Sequence, residues 1–198
     1  SPKESARVTS LTELGLAILV LLVTPGPTNT LLFLAGTERG LRGTLRLIPA
    51  EVAGYLVTVI PLTLIGASLL ASAPALRPAI ALAAGLWVAW LALKLWQPEK
   101  SGTAPAKVTA RMVFFTTLLN PKALIFGLVL LPSPDQLALN LAIFTAQVIA
   151  VAAGWASFGA KLTGTARTNS RTLPLIRRTA SVWLGVVSLS LIAKSLGA

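Results

Sequence analysis

The sequence predicts an all-α integral membrane protein of six transmembrane helices, built as two inverted three-helix repeats with the first and fourth helices broken. Three observations carry that reading. The 198 residues are 55% apolar and only 12% charged, whereas a soluble domain of this size has about 25% charged residues. Six apolar stretches are each long enough to cross a bilayer, which takes roughly 20 residues. Two of the six are interrupted at matching places, by Pro25-Gly26-Pro27 and by Asn120-Pro121-Lys122.

The stretches run over about 11–36, 47–70, 79–96, 112–131, 138–158 and 179–196. Each is expected to be helical, because a span in hydrocarbon must satisfy its own backbone groups. A transmembrane barrel would alternate polar and apolar residues, and these runs do not. The start resembles a signal peptide, with Lys3 and Arg7 ahead of an apolar run. Thr24-Pro25-Gly26-Pro27 follows instead of a small-residue cleavage site, and hydrophobicity resumes at Leu31, so the run reads as half of the first span. The chain is expected to be one transmembrane domain over 1–198, with halves at about 11–97 and 112–197.

Charge orients these spans. The net charge of +11 could suggest nucleic acid, but the cations lie in short runs between apolar stretches, which fits a membrane surface and not a nucleic-acid partner. Arg39, Arg42 and Arg46 follow the first span, in a loop expected at about 37–46. Lys94, Lys100, Lys107 and Arg111 follow the third, around 97–111. Lys161, Arg167, Arg171, Arg177 and Arg178 follow the fifth, around 159–178. The other side collects only Lys3, Arg7, Arg77 and Lys194. Short loops rich in Lys and Arg face the cytoplasm, so both termini are expected outside it. Trp96 falls where interfacial aromatics sit, and the pairs Ala50/Gly54 and Ala81/Gly85 have the spacing that lets helices approach closely in lipid.

The breaks are the informative feature. Proline removes a backbone donor and clashes with the preceding turn, and glycine lowers helix propensity. Two prolines around a glycine should open the first helix, whereas Asn120-Pro121-Lys122 is a milder interruption. Opened backbone is tolerated at membrane depth only against protein or a wet cavity. Each break falls in the first of three spans, about ten residues or ~15 Å from the cytoplasmic end. Because three is odd, the halves insert with opposite orientation. Interrupted helices at corresponding places of inverted halves point to a transporter's central site.

The candidate site is therefore Pro25, Gly26, Pro27, Thr28 and Asn29 with Asn120, Pro121 and Lys122. The half-helix after Pro27 offers unpaired N–H groups to a carboxylate, and carbonyls freed by the prolines can accept from an ammonium group. Lys122 adds a positive charge. The set suits a zwitterionic amino acid better than a sugar or a bare cation. A charged residue this deep is functional by default, although snorkelling or pairing would also account for it. Its expected partner is Glu51, for which an interfacial cap or a pair with Arg46 is equally open. Tyr55, one turn further on, either lines the path or packs. Gln147 is expected to bond between helices, and Asp135 to be solvated. With no His and no Cys, a transition-metal site is disfavoured, and no cofactor is expected.

Thr24-Pro25-Gly26-Pro27-Thr28-Asn29, Gly40-Leu41-Arg42 and Ala53-Gly54, followed by Asn120-Pro121-Lys122-Ala123 and the run from Gly85 to Lys94, resemble the LysE/RhtB-type amino-acid exporters over nearly the whole chain. The first half is most similar to the branch handling small neutral substrates such as cysteine and O-acetylserine. The resemblance implies a bacterial inner-membrane exporter of amino acids or close derivatives, driven by proton antiport, with a homodimer left open. Many members have Gly-Asp or a similar acidic pair where this chain has Gly54-Tyr55, so the proton-carrying carboxylate is not given by the resemblance. A cation-specific exporter is the alternative, though it would invest more acidic residues in its spans. An intramembrane enzyme would need a nucleophile and base, and only a Ser or Thr with Lys122 could serve.

Overall fold

The computed structural model describes residues 2–96, 107–132, 135–166 and 172–196. Among these there are helices and no strands: α1 Pro2–Val23, α2 Pro27–Leu45, α3 Ile48–Ser72, α4 Leu76–Trp96, α5 Ala110–Leu118, α6 Pro121–Ile125 running on into a π-helical turn Phe126–Leu130, α7 Leu137–Ala166 and α8 Thr172–Ser195. Four continuous stretches, Ile48–Gly66, Pro78–Trp96, Leu137–Leu162 and Pro174–Ser195, are long and apolar enough to cross a membrane. Two bent pairs do so together, Leu11–Val23 with Pro27–Leu45 at 62° and Ala110–Leu118 with Pro121–Leu130 at 46°. The first and fourth spans are thus broken where the prolines lie.

Helix packing follows a pattern that exchanging the two halves maps onto itself. The first span packs on the fifth (α1 and α2 on α7), and the fourth packs on the second (α5, α6 and the π turn on α3). The third packs on the sixth through α4 and α8. Small residues let these pairs close. A Cβ added to Gly36 would collide with the Ala156 carbonyl, and one on Gly159 with the Phe33 carbonyl. On the α3–α5 side a Cβ at Gly54 would lie 2.8 Å from the Phe114 carbonyl, and on the α4–α8 side one at Gly85 would lie 2.7 Å from Ile192 Cγ1. Ser188 Oγ donates to the Gly85 carbonyl at 2.8 Å and Ser181 Oγ to that of Ala92 at 2.6 Å, replacing the hydrogen bonds that lipid cannot offer.

The expected loops are partly helical, and α7 runs on to Ala166 through the first part of the stretch expected as loop at 159–178. Helix α2 continues to Leu45 through the stretch expected as loop at 37–46, turning at Gly40, whose φ of 71° is the positive-φ conformation that glycine adopts without a Cβ penalty. Helix α8 starts at Thr172, so Arg177 and Arg178 are helical rather than in a loop. A charged residue in the end turns of a span does not stop the helix; it only marks where lipid ends. Lys100, Arg167 and Arg171 lie outside the described residues. Trp96 closes α4 half exposed, with the Arg178 guanidinium 5.8 Å above its ring.

The buried apolar side chains form two clusters. One gathers Leu31, Leu34, Leu91, Val113, Ala152 and Leu184; the other gathers Leu22, Tyr55, Val59, Ala123, Phe126 and Phe144. Along the first, second and fourth spans the chain passes from one cluster to the other across polar residues: Thr28 and Asn29, Glu51, and Thr116, Thr117 and Asn120, all buried. A polar layer therefore divides the core at the depth of the two breaks.

Candidate functional site

The first break is built by local chemistry. Helix α1 stops because Pro25 and Pro27 cannot donate, and Gly26 is extended at φ −161° and ψ 177°. The carbonyls this frees are caught from within the same span. Asn29 Nδ2 donates to the Leu22 carbonyl at 2.8 Å and to the Thr24 carbonyl at 3.1 Å. Thr30 donates to the Gly26 carbonyl through both its backbone N, at 2.9 Å, and its Oγ1, at 2.8 Å. No side chain caps the other end: Gly26 is the N-cap of α2 and has none to offer. The first N–H groups of α2 thus have no side-chain acceptor, and they carry the positive end of the helix dipole.

The second break is capped differently. Asn120 is the N-cap of α6, its Oδ1 accepting from Lys122 N at 3.1 Å, as a capping asparagine should. The Leu118 carbonyl, left without its helical donor because Lys122 N turns to the Asn120 cap, accepts from Thr58 Oγ1 of α3 at 3.1 Å. Asn120 Nδ2 then faces two hydroxyls, Thr28 Oγ1 at 3.3 Å and Tyr55 Oη at 3.4 Å. Thr28 Oγ1 lies 3.2 Å from Thr117 Oγ1, which donates to the Val113 carbonyl at 2.8 Å.

The two breaks meet. Lys122 Nζ donates to the Thr24 carbonyl, and its end lies over Gly26, where an added Cβ would be 3.4 Å from both Cε and Nζ. A cation from the second half thus sits on the opened backbone of the first, beside the uncapped start of α2. A carboxylate placed there would meet an ammonium group and backbone N–H donors together, and an ammonium group would find the Thr24 carbonyl.

Of the sequence-predicted residues, Thr28, Asn29, Asn120 and Lys122 come together with Gly26 in this way. Tyr55 packs, edge-on to Phe126 and Phe144, with its hydroxyl in the polar layer. Glu51 is 2% exposed, its Oε2 has no hydrogen-bond partner, and no ion pair joins it to Lys122 or Arg46 among the described residues. Gln147 does not make the expected interhelical bond: its Oε1 is unpaired, and Nε2 abuts Gly15 of α1. Asp135 is exposed, as expected. Nothing in the sequence marks Thr58 and Thr117, since a hydroxyl in an apolar run bonds its own helix as often as a neighbour. Among the described residues no three His, Cys, Asp or Glu side chains converge on a metal site.

An apolar cleft of about 570 Å³ runs from Pro25 and Thr30 past Trp155 to Trp183. It lies on the outer flank of α2, α7 and α8 and carries no charged group.

A family model described as "LysE type translocator" matches residues 19–195. Among curated proteins, the cysteine/O-acetylserine efflux protein of Salmonella typhi is 28% identical over 141 residues, covering 67% of this chain and 71% of that protein. The protein of the same name from Salmonella typhimurium is 28% identical over 138 residues, with the same coverage. No solved structure matches the chain.

Proposed function

We propose that this chain, which belongs to the LysE type translocator family, exports an amino acid or close derivative from the cytoplasm across the bacterial inner membrane, exchanging it for protons. The observation that carries the reading is the meeting of the two breaks, with Lys122 on the Thr24 carbonyl and over Gly26. The relatives named for cysteine and O-acetylserine efflux support a small zwitterionic substrate.

In this reading the substrate carboxylate takes the place of the Thr24 carbonyl on Lys122 and accepts from the uncapped N–H groups of α2. The substrate ammonium takes the carbonyl that Lys122 releases. Both exchanges swap one charge-assisted hydrogen bond for another, so binding does not strand a buried charge. The inverted halves present this layer alternately to the two sides, with the basic loops on the cytoplasmic side and both termini outside. Glu51 is the proton carrier: it is a buried carboxyl in the polar layer with an oxygen that has no hydrogen-bond partner, so a proton can be taken up there without breaking a pair. A proton entering from outside neutralises Glu51 and leaves to the cytoplasm as the next substrate binds.

The test is Lys122→Ala in cells preloaded with a labelled amino acid. The variant should reach the membrane in normal amount and lose efflux; full residual efflux removes Lys122 from the site.

A further inference from the structure

We propose that the segment 27–39 is a rod hinged at both ends, and that Glu38 and Arg39 at its tip, gripped by Arg177 and the Val108 peptide, form the closed cytoplasmic gate of the transport path. The inference rests on the exporter reading for what passes through the gate, and on the basic face being cytoplasmic.

The hinges are visible in the backbone. At one end the chain is extended at Gly26 between two prolines; at the other it turns at Gly40, with φ 71° and ψ 178°. A Cβ at Gly40 would meet nothing within 4 Å, so the turn is not wedged in place by packing. Between them the stretch 27–39 of α2 carries Thr28 and Asn29 of the candidate site at its start and Glu38 and Arg39 at its end. Movement of the tip therefore moves the site.

The tip is held by side chains from two other spans. Glu38 Oε1 accepts from Arg177 Nη1 of α8 at 2.8 Å, with the two side chains 4% and 8% exposed. Glu38 Oε2 accepts from Val108 N at 3.0 Å, and Arg39 Nη2 donates to the Val108 carbonyl. Val108 stands just ahead of Thr109, the N-cap of α5, and is itself fully buried. The first, fourth and sixth spans are tied together at one end of the bundle through a single acidic residue.

In the other half, among the described residues, the end of the π turn is met by Asn140 Nδ2 on the Leu131 carbonyl at 3.4 Å. The hold on the tip is a buried ion pair with a hydrogen-bonded peptide beside it. Such a pair is costly to break by removing one partner, because the other charge is left buried and alone; removing both charges costs little.

The chain has no cysteine, so one placed at Thr28, 1% exposed, reports access to the site without background. Inside-out and right-side-out vesicles would be treated with a membrane-impermeant maleimide. Glu38→Gln keeps an oxygen for Val108 N but removes the negative charge opposite Arg177 Nη1, and should speed labelling from the basic face by about tenfold or more, leaving the opposite face unchanged. Arg177→Lys, which keeps the charge but loses the guanidinium fork, should speed it less. The double variant Glu38→Gln with Arg177→Met removes both charges of the pair and should label more slowly than Glu38→Gln alone. Unchanged labelling in both single variants overturns the gate, as does equal acceleration from both faces, which signifies general loosening. No substrate is present in this assay, so its outcome is separate from any failure to find amino-acid transport.

Discussion

Substituting Gly26 in steps tests the contact that joins the halves. Its φ of −161° is extended backbone that any residue adopts, so a side chain there is limited by space alone. The first carbon added would lie 3.4 Å from Lys122 Cε and Nζ and 4.0 Å from the Thr24 carbonyl, which is ordinary van der Waals contact. Gly26→Ala should therefore fold and transport within about twofold of the natural protein, with a stability gain of up to ~1 kcal/mol from restricting the unfolded chain. Gly26→Leu must put three further carbons where the Lys122 ammonium stands. It would push Nζ off the Thr24 carbonyl, and a hydrogen bond to a charged group is worth about 1.5–3 kcal/mol, or roughly 10- to 150-fold in occupancy of the assembled site. Efflux from preloaded right-side-out vesicles would measure the consequence, with thermal unfolding in detergent as the control for folding. A leucine variant that transports like the alanine variant would refute the reasoning. So would a folded alanine variant that is inactive, because glycine would then be needed for something other than room for Lys122.

Other predictions concern packing and coupling. Gly159→Ala would drive a methyl into the Phe33 carbonyl between α7 and α2, whereas a Cβ at Gly154 on the same helix meets nothing within 4 Å; the first should lower stability by about 1–3 kcal/mol or more and the second should leave it unchanged or slightly raised, as unfolding midpoints in detergent would report. Glu51→Gln removes the proposed proton carrier while preserving shape, so it should abolish the response of efflux to an imposed pH gradient yet leave substrate exchange at equal pH largely intact. Retention of gradient-driven efflux would transfer the coupling role to another group.

Much of this architecture is legible from the residues because its causes are local. Apolar runs and their basic flanks fix six spans; proline chemistry fixes which two are broken; small residues at four-residue spacing, Ala50/Gly54 and Ala81/Gly85, mark surfaces where backbones approach. Lys122 stands out because a deep charge needs a partner. The partner itself was not legible: charge alone suggests Glu51, whereas the ammonium takes the Thr24 carbonyl, which every residue possesses and no sequence pattern marks. The tie between Glu38 and Arg177 spans 139 positions, and in the chain Glu38 reads as one acid among loop cations. What announces it is the three-dimensional closeness of the first and sixth spans. Gln147 shows the opposite error: its amide has the capacity for a bond between helices, but α1 presents Gly15 to it, which has no side chain to answer with.

Counterflow in proteoliposomes tests the central claim most directly. Purified protein would be reconstituted with a high internal concentration of one unlabelled amino acid, and entry of a panel of labelled amino acids followed at equal pH and with a pH gradient. The account predicts counterflow of at least one small zwitterionic amino acid, altered by the gradient and lost in Lys122→Ala. Absence of counterflow across the panel in protein that is folded and inserted, or counterflow that persists unchanged in Lys122→Ala, would contradict it.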